Sequence, residues 1–223
     1  MAEIDFMSVL HKSTKRDYIA RVTDMEFPKS KAAKLAKSFE FDYWDGDRRI
    51  NYGGYKYMPG RWTPVAEKLV QHYNLGPNSR ILDIGCGKGF LLFEITQILH
   101  GCAVHGVDVS RYAIDNAKEE IRNNIVHSSA TKLPFDANSF DLVISINTLH
   151  NLLSFELESA LREINRVSKS NAYICVESYR NEKEKENLLY WQVTCEQFNT
   201  PEEWNWWFTT FFYKGDHSFI YFE

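Results

Sequence analysis

The chain has little of what would send it to a membrane, to nucleic acid or through a secretory route. No apolar run approaches the roughly 18 residues needed to cross a bilayer. A net charge of −4, from 26 Lys and Arg against 30 Asp and Glu, supplies no global pull toward nucleic acid or an anionic lipid surface. The opening Met1-Ala2-Glu3-Ile4-Asp5-Phe6 is acidic where a secretory leader would be basic, which argues against secretion. Cysteine is sparse: Cys86, Cys102, Cys175 and Cys195 fall singly, with no Cys-x-x-Cys pair. They read as small buried hydrophobes in a reducing compartment, so neither disulfides nor a metal centre is expected. The expectation is a soluble cytoplasmic protein without nucleic-acid or membrane partners.

What is present is concentrated in a few places. With 223 residues and 44% hydrophobic content, the chain can bury one good core. Its most telling stretch is Arg80-Ile81-Leu82-Asp83-Ile84-Gly85-Cys86-Gly87-Lys88-Gly89-Phe90. An apolar run ends in an acid, breaks into alternating glycines and resumes as the helix-like Phe90-Leu91-Leu92-Phe93-Glu94-Ile95. Glycines at a strand-to-helix turn let a small molecule lie against the main chain at the strand's carboxyl end. A dinucleotide fingerprint needs its third glycine three residues after the second, where this chain has Phe90; the third glycine is Gly89 instead. The pattern Asp83-x-Gly85-x-Gly87-x-Gly89 resembles motif I of the class I S-adenosylmethionine-dependent methyltransferases.

Two further segments fit the same reading. Cys102 to Asp108 reads as a second strand, and Asp108 lies about 20 residues past the glycine loop, the distance of one helical crossover. An acid there can accept both hydroxyls of a ribose. Ser110 is the better-placed cap for a helix over Arg111 to Ile121, which leaves Asp108 free for a sugar. The third segment runs from Ser129-Ala130-Thr131 through Ser139-Phe140-Asp141-Leu142-Val143-Ile144-Ser145-Ile146-Asn147. It is similar to the adenine-side loop and fourth strand of the ubiquinone-methylase-like branch of the family. That branch commonly has an acid where Ser129 stands, so here the adenine contact falls to Ala130 and Thr131 backbone groups or the Ser129 hydroxyl. The resemblance covers roughly Arg80 to Glu177. It implies S-adenosylmethionine as cofactor, held by Asp83, Gly85, Cys86, Gly87, Gly89, Asp108, Val109, Ser129, Ala130, Thr131 and Asn147.

The organisation agrees. Strands are expected near 80–84, 102–108, 124–127, 141–146 and 172–178, with helices near 88–99, 111–121 and 154–167. Strands separated by helical crossovers imply an α/β, doubly wound, mostly parallel Rossmann-like sheet. The resemblance supplies the strand order 3-2-1-4-5. Thr63 caps a helix from Pro64 to about Tyr73, and Thr200-Pro201-Glu202-Glu203 opens a short helix through Trp204, Trp206 and Trp207. A final antiparallel strand is expected at 218–222, closing the sheet edge, with Val193 to Phe198 a candidate for one more. Residues 1–62 are taken as an N-terminal extension and aromatic cap, and 63–223 as the cofactor-binding domain.

Aromatic residues, 15% of the chain, crowd Phe39 to Trp62 and Tyr190 to Phe222. The loop Tyr52 to Trp62 is the candidate lid, against an aromatic patch that packs on the sheet, with Gly53 and Gly54 as hinges, Tyr55 as a candidate catalytic residue and Arg61 pairing with the cofactor carboxylate. Arg48, Arg49, Lys56 and Arg61 gather four cations there, which suits an anionic acceptor, phosphorylated or nucleotide-linked; solvated surface charge is the alternative. His150, just past the fourth strand, is the candidate acid/base or substrate contact, against a role in ordering that loop. The tryptophans near 204–207 either wall the acceptor pocket, make a homodimer contact or fill the core. The function expected is methyl transfer to an oxygen or nitrogen of a small metabolite such as a sugar; RNA or protein methylation and a non-catalytic scaffold are the alternatives.

Overall fold

The computed structural model describes residues 1–11, 16–53 and 55–223; Gly54 lies outside them. Six strands form one sheet: β1 (Arg80–Ile84), β2 (Ala103–Asp108), β3 (Ile125–His127), β4 (Phe140–Ile146), β5 (Ser168–Glu177) and β6 (Asp216–Ile220), in the order β3-β2-β1-β4-β5-β6. The order of the first five is the expected one. Burial alternates between the two faces with the period of a strand. Ile81, Val104, Leu142 and Ile144 join one core, and Leu82, Val107, Val143 and Ile174 join the other.

Four short N-terminal helices, α1 (Ser8–His11), α2 (Ala20–Thr23), α3 (Lys29–Ala36) and α4 (Phe41–Trp44), precede the sheet. α5 (Thr63–His72) and α6 (Phe90–Ile98) pack on the first face. On the second face lie α9 (Ser154–Val167), whose Leu157, Ala160, Leu161, Ile164 and Val167 form one buried stripe, and α11 (Pro201–Thr210), which inserts Trp204 and Phe208. The capping box on α11 is formed, with Thr200 and Glu203 each accepting the other's backbone N–H. The segment expected as one helix is two, α7 (Arg111–Asp115) and α8 (Glu119–Arg122). It breaks because the Lys118 N–H turns to the Lys88 carbonyl at 3.1 Å instead of continuing the ladder. α10 (Glu182–Trp191) follows β5.

Three expectations at the edges are corrected. β6 pairs with β5 in parallel, because a single crossover through α10 and α11 joins them. Val193 to Phe198 is not a strand: Val193 and Thr194 donate to the Tyr52 hydroxyl, and Glu196 and Gln197 to the His150 carbonyl. Thr63 is the first residue of α5 and not its cap; its hydroxyl donates to Glu94 at 2.7 Å.

The chain's start covers the outer edge of β6, with Ile4 N–H donating to the His217 carbonyl and His217 N–H to that of Ala2. Phe6, Met7 and Leu10 belong to the first core, whereas Ala32, Ala36, Tyr43 and Ile50 form a third cluster with Val193. That cluster is the floor of the aromatic cap over the carboxyl ends of the strands.

Candidate functional site

A cavity of about 360 Å³ opens at the carboxyl ends of β1, β2, β4 and β5, beneath the cap. It has the size and mixed apolar and polar lining of a small-molecule site.

One end is built from the glycine loop. Gly85, Gly87 and Gly89 all have positive φ, and Gly89 is the left-handed residue that starts α6. A Cβ on Gly87 would stand 2.5 Å from the Trp44 ring, and one on Gly85 2.1 Å from the Thr148 hydroxyl. Space around the loop is therefore filled closely by the chain itself. Gly87 N–H donates to Asp108 Oδ2 at 2.7 Å and Ser110 N–H to Oδ1 at 2.8 Å. Each carboxylate oxygen keeps a further lone pair for a ligand hydroxyl. Ser110 caps α7 as expected, accepting from Ala113. Burial raises the pKa of Asp108 against the pull of these backbone donors, and burial followed by the Asp108 charge raises Asp83 to about 7. Cys86 lines the loop as an inert thiol, its pKa driven up by burial. Val109, Ser129 and Ala130 complete this wall. Ser129 is engaged with the Thr131 hydroxyl at 2.9 Å. Thr131 and Gly89 lie outside the cavity lining.

The other end is built from side chains. Asn147 follows β4 at φ 55°, and its Oδ1, like that of Asn151, is buried without a hydrogen-bond partner among the described residues. His150 and Glu177, 2% and 7% exposed, meet at the tips of β4 and β5. His150 Nε2 lies 3.6 Å from Glu177 Oε2, and its Nδ1 accepts the Glu177 N–H at 3.5 Å. Gln192 donates to the same carboxyl and accepts from the Tyr52 hydroxyl at 2.6 Å. Burial drives His150 down to about 3 and Glu177 up to about 8. Glu177, Gln192, His11 and Arg16 line the cavity, and none was anticipated. The usable signal for Glu177 was an acid closing an apolar strand, as Asp108 does in β2.

The cap joins the two ends. Glu40 accepts the N–H groups of Arg111 and Tyr112 at the start of α7. The Trp44 indole donates to the Phe39 carbonyl and to Ser110, each at 2.9 Å, and Asp45 accepts from Lys88 and Tyr112. Tyr55 packs 4.6 Å from Trp44 and 5.2 Å from Tyr43 between ring centroids. Burial raises its hydroxyl pKa far above the ordinary tyrosine value, so it is a donor and packing group, not a base. The buried Arg21 is stacked against Tyr52 and Trp191 and donates to the Asn51 and Trp191 carbonyls. Arg61 lines the cavity; Arg48 is turned to Asn51, Arg49 to Asp47, and Lys56 to a separate shallow depression. Trp204 fills the second core and donates to the Glu177 carbonyl at 3.0 Å, Trp206 is exposed, and neither they nor Trp207 line the cavity.

Residues 82–176 match the methyltransferase domain family. Over that stretch the chain carries a domain similar to the class I S-adenosylmethionine-dependent methyltransferases. Among relatives of this chain, the putative methyltransferase YrhH of Bacillus subtilis is 29% identical over 128 residues, 54% of this chain and 70% of that one. Malonyl-[acyl-carrier protein] O-methyltransferase of Legionella pneumophila is 29% identical over 128 residues, 56% of this chain but 44% of its own length. The solved structure of YcgJ from Bacillus subtilis shares the fold, with a TM-score of 0.53 at 21% identity over 66% of each chain. The methyltransferase site fits the family's cofactor: a left-handed loop, a carboxylate aligned by two backbone donors, and two orphaned amide oxygens that can accept from an ammonium group. No helix among the described residues is long and apolar enough to cross a membrane.

Proposed function

We propose that the protein transfers a methyl group from S-adenosylmethionine to an oxygen or nitrogen of a small acceptor, which sits between the tips of β4 and β5 and the cap. Asp108 takes the ribose hydroxyls, the Gly85–Gly89 loop takes the nucleoside, and Asn147 with Asp83 meets the amino-acid part. Ser129 and Ala130 flank the adenine. When bound, the cofactor supplies an electrophilic methyl carbon, and the nucleophile must approach in line with the departing sulfur.

The observation that carries the reading is Glu177, a carboxyl buried in the cavity and held by His150 and Gln192. A proton acceptor works best with a pKa near the working pH, and Glu177 at about 8 meets that condition where His150 at about 3 does not. In this reading Glu177 removes the nucleophile's proton, and neutral His150 and Gln192 orient it. The aromatic cap excludes water that would compete for the methyl group.

Calorimetry with S-adenosylmethionine and S-adenosylhomocysteine tests the nucleoside assignment. Both should bind, and Asp108→Ala should weaken both by about tenfold or more through loss of two charge-assisted hydrogen bonds. Absence of binding by the wild type would end the proposal.

A further inference from the structure

Positive charge gathers at the acceptor end of the cavity without an acid to pair it. Arg16 lines the cavity, its guanidinium 4.7 Å from the Phe222 ring and 5.7 Å from the Trp191 ring. Those rings follow β6 and end α10, so Arg16 sits beyond β5. At about 4.8 Å per strand, β5 lies roughly 10 Å from β1 across the sheet, away from the glycine loop. Among the described residues no carboxylate comes within ion-pair distance of Arg16. Glu177 feels its charge, which opposes the rise that burial imposes on that carboxyl, yet the two are not bridged.

His11 and Arg61 line the same cavity. The Nε2 atom of His11 is buried and has no hydrogen-bond partner among the described residues. Burial first, then the charges of Arg16 and Arg61, hold this imidazole down at about 4 against the opposing pull of Asp5. Two guanidiniums and a partnerless ring nitrogen thus line one aromatic-walled cavity, and both charges are felt at His11. An anionic group there would neutralise the guanidiniums and give His11 Nε2 a partner.

We propose that Arg16 and His11 form an anion subsite, so that the methyl acceptor carries a phosphate or a carboxylate there while its nucleophile meets Glu177. The proposal rests on the methyltransferase reading above. It moves the expected anion contact from Arg48 and Arg49, which face other partners, to residues of the first helix and the segment after it.

The test is calorimetric titration of the full-length protein, saturated with S-adenosylhomocysteine, with inorganic phosphate and separately with acetate. Arg16→Gln keeps much of the stem over Phe222 and Trp191 and removes the charge; Arg16→Lys keeps the charge. One of the two anions should bind the wild type, and which one does distinguishes a phosphate from a carboxylate acceptor. Arg16→Gln should weaken it by about tenfold or more, and Arg16→Lys by less, as expected for one lost charged hydrogen-bonding group. The nucleoside affinity should stay within about twofold in both variants. The anion proposal is overturned if neither anion binds the wild type, or if Arg16→Gln binds as tightly. A matching fall in nucleoside affinity in Arg16→Gln also overturns it, because Arg16 would then serve the cofactor. A wild type that does not take up S-adenosylhomocysteine at all removes the underlying methyltransferase reading instead, and this proposal with it.

Discussion

The two ends of the cavity are built by opposite means. At the β1–β2 end the wall is mostly main chain, set by three left-handed glycines and by backbone N–H groups on Asp108. At the β4–β5 end it is side chains drawn from most of the length of the chain: His11, Arg16, Tyr52, His150, Glu177 and Gln192. A main-chain wall recognises what all members of such a fold share. A side-chain wall can be rewritten one residue at a time, which is where acceptor choice can diverge.

The largest effect that would sharpen this contrast is expected from Gly87→Ala. The new methyl would press into Trp44, which is held by two hydrogen bonds and cannot simply swing away, at a backbone φ of 54°. A non-glycine residue in that region costs about 1–2 kcal/mol before any clash. Calorimetry should show S-adenosylhomocysteine affinity falling well over tenfold, and the melting temperature should drop. Retained affinity would mean that the loop is less tightly fitted than its geometry implies.

Glu177→Gln should act at the other end and through pH. The folded carboxyl titrates at about 8 against an ordinary value of 4.5. Between those values the folded state holds a proton that the unfolded state has lost, so stability contributed by this group falls as pH rises through that window. The variant escapes the loss. Its melting temperature relative to wild type should therefore rise from about pH 5 to about pH 9. Comparing variant with wild type cancels the same-signed contribution of Asp83. A difference independent of pH would show that Glu177 is not held protonated. The smallest effect should come from Ser129→Ala, whose hydroxyl is already engaged with Thr131; nucleoside affinity should change by about threefold or less, the worth of a weak neutral hydrogen bond.

The same contrast explains what could be read from the chain. The glycine loop, the Ser110 cap and the Thr200–Glu203 box are local arrangements, so their spacing announces them. Glu177 and Gln192 acquire meaning only when β5 and the irregular stretch after α10 are folded over His150; the one local sign is the acid that closes β5, and nothing local marks Gln192. Arg16 and His11 stand in a segment that reads merely as polar. The single helix expected over 111–121 failed because a tertiary bond from Lys118 to Lys88 outweighed propensity, and the direction of β6 depended on how many strands follow β5.

The first residues have a consequence for the sheet as a whole. By hydrogen-bonding along β6 through Ala2 and Ile4, they leave that border with few free main-chain groups, and the opposite border is only the three-residue β3. Neither side offers a long template for another chain to zip onto. Trimming the protein back past Ile4 would uncover such a template, and self-association at high concentration would be the expected result.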